Sequence, residues 1–233
     1  MKLENAKILV TGGSLGIGKA IARLLVDSGA EVGITGRDRG RIETAAADIG
    51  AFPITADVSS PDDIRRTYET FMDRFGGLDC LVNNAGIGLS RRIDEVTLQD
   101  FEDVFRVNVY GAALMAAEAV KIFKTQKHGN IVNIGSTSAL KGDEGATIYS
   151  ASKFALRGMT ECWRAELRKH NIRVFLINPS EVATAIGSRD RTERRAPPNK
   201  LSALEIAYAV KSVLEMDDRG FIPELSVWAT NPW

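Results

Sequence analysis

Short apolar runs alternate with longer amphipathic stretches along almost the whole chain. This alternation predicts β-α-β units, and so a parallel sheet with helices on both faces. We predict strands at Ile8–Val10, Glu31–Thr35, Ala51–Thr55, Cys80–Val82, Asn130–Ile134, Arg173–Ile177 and Phe221–Val227. We predict helices at Gly16–Asp27, Gly40–Asp48, Pro61–Phe75, Thr97–Val107, Ala112–Lys124, Tyr149–Lys169 and Ser202–Met216.

The polar stretch Ala185–Lys200 interrupts this pattern. It contains two consecutive prolines and a mixture of charges: Arg189, Asp190, Arg191, Glu193, Arg194, Arg195 and Lys200. Such composition is typical of a surface loop, and we expect a mobile loop here that covers the substrate. No stretch has the composition of a linker between domains, so residues 1–233 are predicted to form one domain.

Composition and charge exclude several kinds of protein. The 233 residues are 44% hydrophobic, which suits one large α/β domain. The 30 basic side chains balance the 30 acidic ones, so net charge attracts neither nucleic acid nor an anionic membrane. The longest apolar stretch, Ala112–Val120, contains Glu118 and is too short to span a bilayer. The chain has two cysteines, and no signal peptide precedes the first strand, so we expect the protein to lie in the reducing cytoplasm. No metal site is predicted.

A glycine-rich segment, Thr11-Gly-Gly-Ser-Leu-Gly-Ile-Gly18, joins the first predicted strand to the first helix. Gly12 would allow a tight turn, Gly16 would let a pyrophosphate approach the backbone, and Gly18 would let the helix pack on the strand. The alternative is a turn that starts the helix and binds nothing. Its place in the first β-α-β unit favours dinucleotide binding.

The ends of the next strands carry further candidates. Gly36-Arg37 lies where an acidic residue would bind the ribose hydroxyls of NAD. Without that acid, Arg37 could pair with the 2′-phosphate of NADP, so the sequence favours NADP. The alternative is that Arg37 is an ordinary surface arginine. Asp57 follows the third strand and would bind the adenine amino group or, alternatively, cap the next helix. Asn83-Asn84-Ala85-Gly86 follows the fourth strand, as a cofactor-lining turn or a purely structural one.

A tyrosine and a lysine four residues apart, Tyr149 and Lys153, share one face of a predicted helix, and Ser136 lies thirteen residues before the tyrosine. A phenol next to an ammonium group and a hydroxyl can donate a proton to a carbonyl oxygen. With a dinucleotide site, this group predicts hydride transfer coupled to proton delivery.

The ordered set of motifs resembles the short-chain dehydrogenase/reductase family over nearly the whole chain. The matching positions are Thr11–Gly18, Asp57, Asn83–Gly86, Asn108, Ser136, Tyr149, Lys153, Asn178-Pro179 and Thr184. The resemblance implies a doubly wound Rossmann domain with seven parallel strands in the order 3-2-1-4-5-6-7. It implies NADP(H) as cofactor, with NAD(H) as the alternative. The implied cofactor-binding residues are Gly12, Ser14, Gly16, Ile17, Gly18, Arg37, Asp57, Val58, Asn84, Ala85, Gly86, Tyr149, Lys153, Pro179, Val182 and Thr184.

The resemblance also implies a catalytic tetrad of Asn108, Ser136, Tyr149 and Lys153. Ser136 would orient the substrate carbonyl, and Tyr149 would be the acid-base group, with its pKa lowered by the Lys153 ammonium and the oxidised nicotinamide. Lys153 would also bind the nicotinamide ribose, and Asn108 would hold a water that resupplies protons. The alternatives are that Asn108 kinks a helix, Ser136 caps a loop and Tyr149 lies at an interface.

The sequence departs from the family at Ser180, where glycine usually follows Asn178-Pro179, so we expect a different path for the loop over the nicotinamide. The final residues, Trp228–Trp233, also differ from the typical bacterial 3-oxoacyl-carrier-protein reductase. Lys121, Lys124 and Lys127, like the basic residues of Ala185–Lys200, would meet an anionic substrate or acyl carrier, or else are solvated surface residues.

These features predict a cytoplasmic carbonyl reductase that acts on a small carbonyl or alcohol, including a 3-oxoacyl thioester as one candidate. The alternative is an NADP-binding sensor or scaffold without catalysis, although such proteins usually lose the tyrosine or the lysine. A nucleotide-sugar epimerase is disfavoured by the spacing of the glycines and the chain length. Apolar positions at Leu114, Met115, Leu156 and Trp163 predict a homotetramer or homodimer.

Overall fold

The computed structural model describes residues 1–184, 186, 197 and 199–231. Its centre is a parallel sheet of seven strands in the order β3-β2-β1-β4-β5-β6-β7, as predicted. The strands are β1 (Lys7–Val10), β2 (Glu31–Gly36), β3 (Phe52–Thr55), β4 (Cys80–Asn83), β5 (Gly129–Ile134), β6 (Ile172–Pro179) and β7 (Glu224–Val227). The helices are α1 (Gly16–Asp27), α2 (Arg39–Ile49), α3 (Pro61–Phe75), α4 (Leu98–Phe105), α5 (Ala112–Gln126), α6 (Thr147–Leu167) and α7 (Ala203–Glu215).

Two apolar layers hold the helices against the sheet. Successive strand residues point to opposite faces, so Ile8 and Val10 pack with α1, α2 and α7, whereas Leu9 packs with α3 and α5. The fold class predicted from the alternating pattern is therefore confirmed: one α/β domain with helices on both faces.

Polar residues at the helix starts explain why these helices begin where they do. The Ser60 hydroxyl accepts a hydrogen bond from the Asp63 amide, and Pro61 occupies the first helical position of α3. Reciprocal pairs of a hydroxyl and a carboxylate start α4 at Thr97 and α7 at Ser202. Gly76, with φ of 70°, ends α3 in the left-handed conformation that favours glycine.

The structure differs from the sequence predictions in two connections. The helix predicted to end at Val107 continues through a π-helical segment, Arg106–Gly111, into α5, so the two expected helices are continuous. The last strand was predicted to begin at Phe221 but begins at Glu224, directly after Pro223, which has no amide hydrogen to donate to a sheet.

Three other features bear on earlier expectations. No helix within the described residues is long and apolar enough to cross a membrane. Most of the predicted substrate-covering loop lies outside the described residues, including Arg189, Asp190, Arg191, Glu193, Arg194 and Arg195. Among the residues described, the non-glycine residues with positive φ are Asn5, Lys127 and Asn171, so Ser180 does not need the freedom of glycine. The different path expected for the loop over the nicotinamide stays a prediction.

Candidate active site

The glycine-rich turn after β1 is fastened to the loop after β4 by hydrogen bonds. The Thr11 hydroxyl oxygen accepts from the amides of Asn84 and Ala85, both at 3.0 Å. The Asn84 side-chain amide donates to the carbonyl oxygens of Thr11 at 2.9 Å and Gly12 at 3.2 Å. Sequence analysis assigned Asn84 to the cofactor and gave Thr11 no role of its own. The structure shows that both side chains hold the two loops together.

Three glycines of this turn are required for different reasons. Gly12 has φ of 66° and Gly16 has φ of 53°, both in the left-handed region. A Cβ on Gly16 would also lie 3.3 Å from the Thr184 methyl group, which lies over the turn. A Cβ on Gly18 would overlap the Gly12 carbonyl and the Asn84 amide. Larger residues would therefore displace the start of α1 from the sheet.

A cavity of about 290 Å³ opens beside this turn, at the carboxyl ends of β1 to β4. It collects most of the predicted cofactor residues: Gly12, Ser14, Gly16, Ile17, Arg37, Asp57, Val58, Asn84, Ala85, Gly86 and Thr184. It does not include Gly18, Tyr149, Lys153, Pro179 or Val182. Its lining also contains residues that sequence analysis missed, among them Thr35, Asp38, Arg41, Ile87 and Val107. Arg41 could have been found from its position in the first turn of α2, four residues after Arg37.

Two arginines and two aspartates form the end of the cavity next to β2 and β3. An Arg37 guanidinium nitrogen lies 3.9 Å from an Asp57 carboxylate oxygen. The Asp38 carboxylate accepts from the Arg41 amide at 2.9 Å, which starts α2. Asp57 accepts from the amide and hydroxyl of Ser59, and the capping residue of α3 is Ser60. The alternative that Asp57 caps the helix is therefore wrong.

The predicted catalytic residues Ser136, Tyr149 and Lys153 lie together at the end of β5 and the start of α6. The Ser136 hydroxyl lies close enough to the Tyr149 phenol to lower its pKa, and it accepts a hydrogen bond from the Ser138 amide at 3.1 Å. The Lys153 ammonium lies 5.7 Å from the centre of the Tyr149 ring and donates to the Ile134 carbonyl at 2.9 Å. Ser136 thus caps a short turn, as one alternative held, and also contacts the tyrosine.

Burial decides the ionisation of this group. It raises the pKa of Tyr149 above its ordinary value, and the hydrogen bond from Ser136 opposes only part of that rise. It lowers the pKa of Lys153 to about 8. Lys153 is not among the groups that shift the pKa of Tyr149 in the protein alone. The expected lowering by Lys153 together with the oxidised nicotinamide stays a prediction. The phenol is therefore protonated at neutral pH, which is the form that donates a proton.

Asn108 lies in the π-helical segment, and its side chain is occupied by protein partners. Its amide nitrogen donates to the Ile87 carbonyl at 2.9 Å and to the Ser152 hydroxyl at 3.0 Å. Its oxygen accepts from the Ile87 amide at 2.9 Å. Ser152 in turn donates to the Tyr149 carbonyl at 2.7 Å. Asn108 therefore lies within the π-helical segment and joins the loop after β4 to the start of α6. That it holds a water for proton resupply stays a prediction.

The burial of Lys153 gives an expectation for stability. The lowered pKa of Lys153 means that the unfolded chain binds the proton more tightly than the folded protein does. Burying the charged lysine therefore lowers the free energy of unfolding, fully below pH 8 and not at all above pH 10.5. We expect Lys153→Met to raise the unfolding free energy at neutral pH by about 2 kcal/mol, after the lost hydrogen bond to Ile134 is allowed for. The gain should shrink as pH rises from 8 toward 10.5.

Denaturant titrations between neutral pH and about pH 10 measure this effect. Lys124→Met on the exposed side of α5 is the matched control and should show no such dependence on pH. A Lys153→Met protein less stable than the parent at neutral pH would contradict the expectation.

The three lysines proposed to attract an anionic substrate lie at the wrong edge of the sheet. Lys121, Lys124 and Lys127 are at the end of α5, which leads into the amino end of β5, whereas the cavity lies at the carboxyl ends of the strands. Lys121 also pairs with Glu118 at 2.6 Å. This cluster therefore does not line the cavity, which favours the alternative of solvated surface lysines. Contact with an acyl carrier at this surface stays a prediction.

The apolar positions used to predict an oligomer have different environments. Met115 and Leu156 are buried within the chain's own core, and Trp163 is packed against it. Leu114 is 41% exposed, and Tyr110 and Phe154 are exposed on neighbouring helical segments. Two of the four positions are thus explained without a partner.

Comparisons with known proteins show which family this chain is similar to. The sequence model described as short chain dehydrogenase matches residues 6–195. A 3-oxoacyl-[acyl-carrier-protein] reductase of Bos taurus is 33% identical over 213 residues, 88% of this chain and 90% of that protein. The alcohol dehydrogenase of Thermococcus sibiricus, solved with 5-hydroxy-NADP, has a TM-score of 0.88 at 26% identity, covering 96% of both chains. The 3-ketoacyl-(acyl-carrier-protein) reductase of Brucella melitensis, solved with NADH, has a TM-score of 0.89 at 27% identity, covering 99% of this chain and 100% of that one.

Proposed function

The chain belongs to the short-chain dehydrogenase family, and we propose that it is an NADP(H)-dependent carbonyl reductase that also runs in reverse as an alcohol dehydrogenase. The observation that carries the proposal is the grouping of Ser136 with a buried Tyr149 and of the Lys153 ammonium 5.7 Å from the centre of the tyrosine ring. The alternative, a sensor or scaffold without catalysis, has no use for this buried acid.

The cavity fits a nicotinamide dinucleotide. Gly12 and Gly16 leave the backbone of the turn free of side chains, and Arg37 and Arg41 place positive charge at the opposite end. We propose that Gly12, Ser14, Gly16 and Ile17 hold the pyrophosphate, that Asp57 and Val58 hold the adenine, and that Ala85 and Gly86 line the nucleoside. Pro179, Val182 and Thr184 would hold the nicotinamide end. When bound, the cofactor supplies the hydride that reaches the carbonyl carbon.

The chain's own residues supply the rest of the chemistry. In the proposed reaction, the Ser136 hydroxyl binds the carbonyl oxygen and orients it toward Tyr149. The Tyr149 phenol donates its proton to that oxygen as it becomes an alcohol. Positive charge on Lys153 stabilises the phenolate that remains, and Asn108 holds the first turn of α6 through Ser152. In the oxidation direction, the same tyrosine takes the proton from the alcohol.

The choice of NADP rests on charge at the end of β2. Position 36 is glycine, so no carboxylate there repels a 2′-phosphate, and Asp38 is engaged at the start of α2. Arg37 and Arg41 line the cavity and would pair with the phosphate. NAD(H) is the alternative, since the Brucella melitensis reductase was solved with NADH.

We propose that the substrate is a carbonyl compound from one of several classes. The likeness to the Bos taurus reductase supports a 3-oxoacyl thioester as one candidate beside small ketones, diketones, sugar ketones and steroid ketones. We expect NADPH oxidation, followed by its absorbance, with at least one member of a panel that contains each of these classes. A panel with no turnover, despite tight NADPH binding, would favour the sensor or scaffold function.

We also propose that the protein is a homodimer or homotetramer in the cytoplasm, with the exposed residues Tyr110, Leu114 and Phe154 at a contact between copies. Light scattering at micromolar concentration tests the assembly. A monomer would contradict it.

A further inference from the structure

A chain of hydrogen bonds runs from β7 to the backbone of the proposed catalytic serine. The Asn178 side-chain oxygen accepts from the Ser136 amide at 3.3 Å. Its side-chain nitrogen donates to a Glu224 carboxylate oxygen at 2.8 Å. Arg157 holds the same carboxylate, with its Nε 3.2 Å from one oxygen and 3.3 Å from the other. Asn178 is completely buried, so its amide finds its partners only within this chain of contacts.

The neighbouring residues leave room for this arrangement. In the pairing of β6 with β7, Glu224 is opposite Leu176, so it lies on the same face of the sheet as Asn178 two residues later. Gly135 precedes the serine, and a Cβ there would overlap the Asn178 oxygen. Arg157 lies on α6 one and two turns after Lys153 and Tyr149, at spacings of four and eight residues. One helix therefore carries the proposed acid and the arginine that holds Glu224.

Glu224 determines which way the Asn178 amide faces. An ionised carboxylate only accepts hydrogen bonds, so the nitrogen of Asn178 must face Glu224. The oxygen of Asn178 must then face the Ser136 amide, which is a donor. If the Asn178 amide were reversed, two acceptors would meet at Glu224 and two donors would meet at Ser136. Each contact would leave buried polar groups without partners.

We propose that Glu224 is a positioning residue for the carbonyl-reducing site: through Asn178 it fixes the backbone at Ser136, and so the hydroxyl that contacts Tyr149. The inference rests on the proposed function, because it concerns the rate of that reaction. Ser136 has the extended backbone, with φ of −172° and ψ of 157°, from which its hydroxyl accepts from the Ser138 amide and lies beside the Tyr149 phenol. Loss of the Asn178 contact would free this backbone.

The test is an exchange of the two polar groups. Asn178→Asp alone brings a second carboxylate against Glu224, and the two repel each other. Asn178→Asp combined with Glu224→Gln restores one donor and one acceptor, since the new amide at position 224 turns its nitrogen toward the new carboxylate at position 178. The remaining oxygen of that carboxylate still accepts from the Ser136 amide. Glu224→Gln alone keeps an acceptor for both Asn178 and Arg157 and is the conservative control.

We expect Asn178→Asp to lower kcat by roughly 10- to 100-fold through displacement of Ser136, and the double variant to recover most of that loss. The kcat of Glu224→Gln should stay within about threefold of the parent value, because the amide oxygen of glutamine can still accept the hydrogen bonds from Asn178 and Arg157. Dissociation constants for NADPH should change little in all three, because none of these side chains lines the dinucleotide cavity.

Two outcomes overturn the proposal. One is that Asn178→Asp combined with Glu224→Gln has a kcat no higher than that of Asn178→Asp alone. The other is an Asn178→Asp protein with the parent's kcat. If Asn178→Asp does not fold, the double variant and Glu224→Met test the proposal instead. The double variant should be active. Glu224→Met has no acceptor for Asn178, so its kcat should fall while NADPH binding is retained. A parent protein that turns over no carbonyl is a different result, since it removes the proposed function itself.

Discussion

Tyr149→Phe is expected to lower the rate of carbonyl reduction by roughly 10²- to 10⁴-fold, because it removes the group that donates the proton. The ring of phenylalanine fills the same space, so packing at the start of α6 is preserved. NADPH binding should stay within a few-fold of the parent, since Tyr149 does not line the dinucleotide cavity. Burial raises the pKa of Tyr149, so the parent phenol is protonated across the neutral range. The loss should therefore be seen at every pH from about 6 to 8.

The measurement compares kcat for reduction with the dissociation constant for NADPH. Tyr110→Phe is a matched control, because Tyr110 is exposed and lies on the π-helical segment away from Ser136. It should keep the parent rate. A Tyr149→Phe protein that keeps more than about a tenth of the parent rate would show that another group supplies the proton.

Arg37→Ala is expected to weaken NADPH binding by about tenfold to just over a hundredfold, and to leave NADH binding almost unchanged. A charged hydrogen bond to the 2′-phosphate contributes roughly 1.5–3 kcal/mol, which corresponds to this change in affinity. Arg37 is 56% exposed and only 3.9 Å from Asp57, so part of its charge is already compensated. We therefore expect the loss of NADPH affinity in Arg37→Ala to be nearer tenfold than a hundredfold.

Values of kcat/KM for NADPH and NADH, on parent and variants, test this choice. Arg39→Ala is the matched control: Arg39 pairs with Glu43 at 2.8 Å and does not line the cavity. A parent that prefers NADH, or an Arg37→Ala protein with unchanged preference, would mean that another group contacts the ribose. Ser14 and Arg41, which both line the cavity, would then be the candidates.

Gly36→Asp extends the same test in the opposite direction. The added carboxylate would accept from the ribose hydroxyls and repel a 2′-phosphate, so the preference should move toward NADH. A Cβ at position 36 lies 3.2 Å from the Ile42 side chain, which must shift slightly. Gly36→Ala makes the same contact without a charge and separates the two effects.

The sequence by itself determined the fold class and indicated candidate residues for the site. The alternation of short apolar runs with helical patterns predicted a parallel sheet covered on both faces, whereas the strand order was implied only by the family resemblance. Tyr149 and Lys153 could be paired because a helix fixes the spacing of residues four apart. The glycine turn was found because only glycine tolerates the backbone at Gly12 and Gly16.

The tertiary structure decided what depends on residues far apart in the chain. The pKa of Tyr149 is raised because its side chain is buried, and burial is not encoded in the spacing of the motif. Asn84 and Thr11 hold two loops together although they are far apart in the sequence. Lys121, Lys124 and Lys127 lie at the far edge of the sheet because α5 runs back along the strands. The contact of Glu224 with Asn178 exists because β7 pairs with β6, and no local pattern reports which acceptor a buried amide meets.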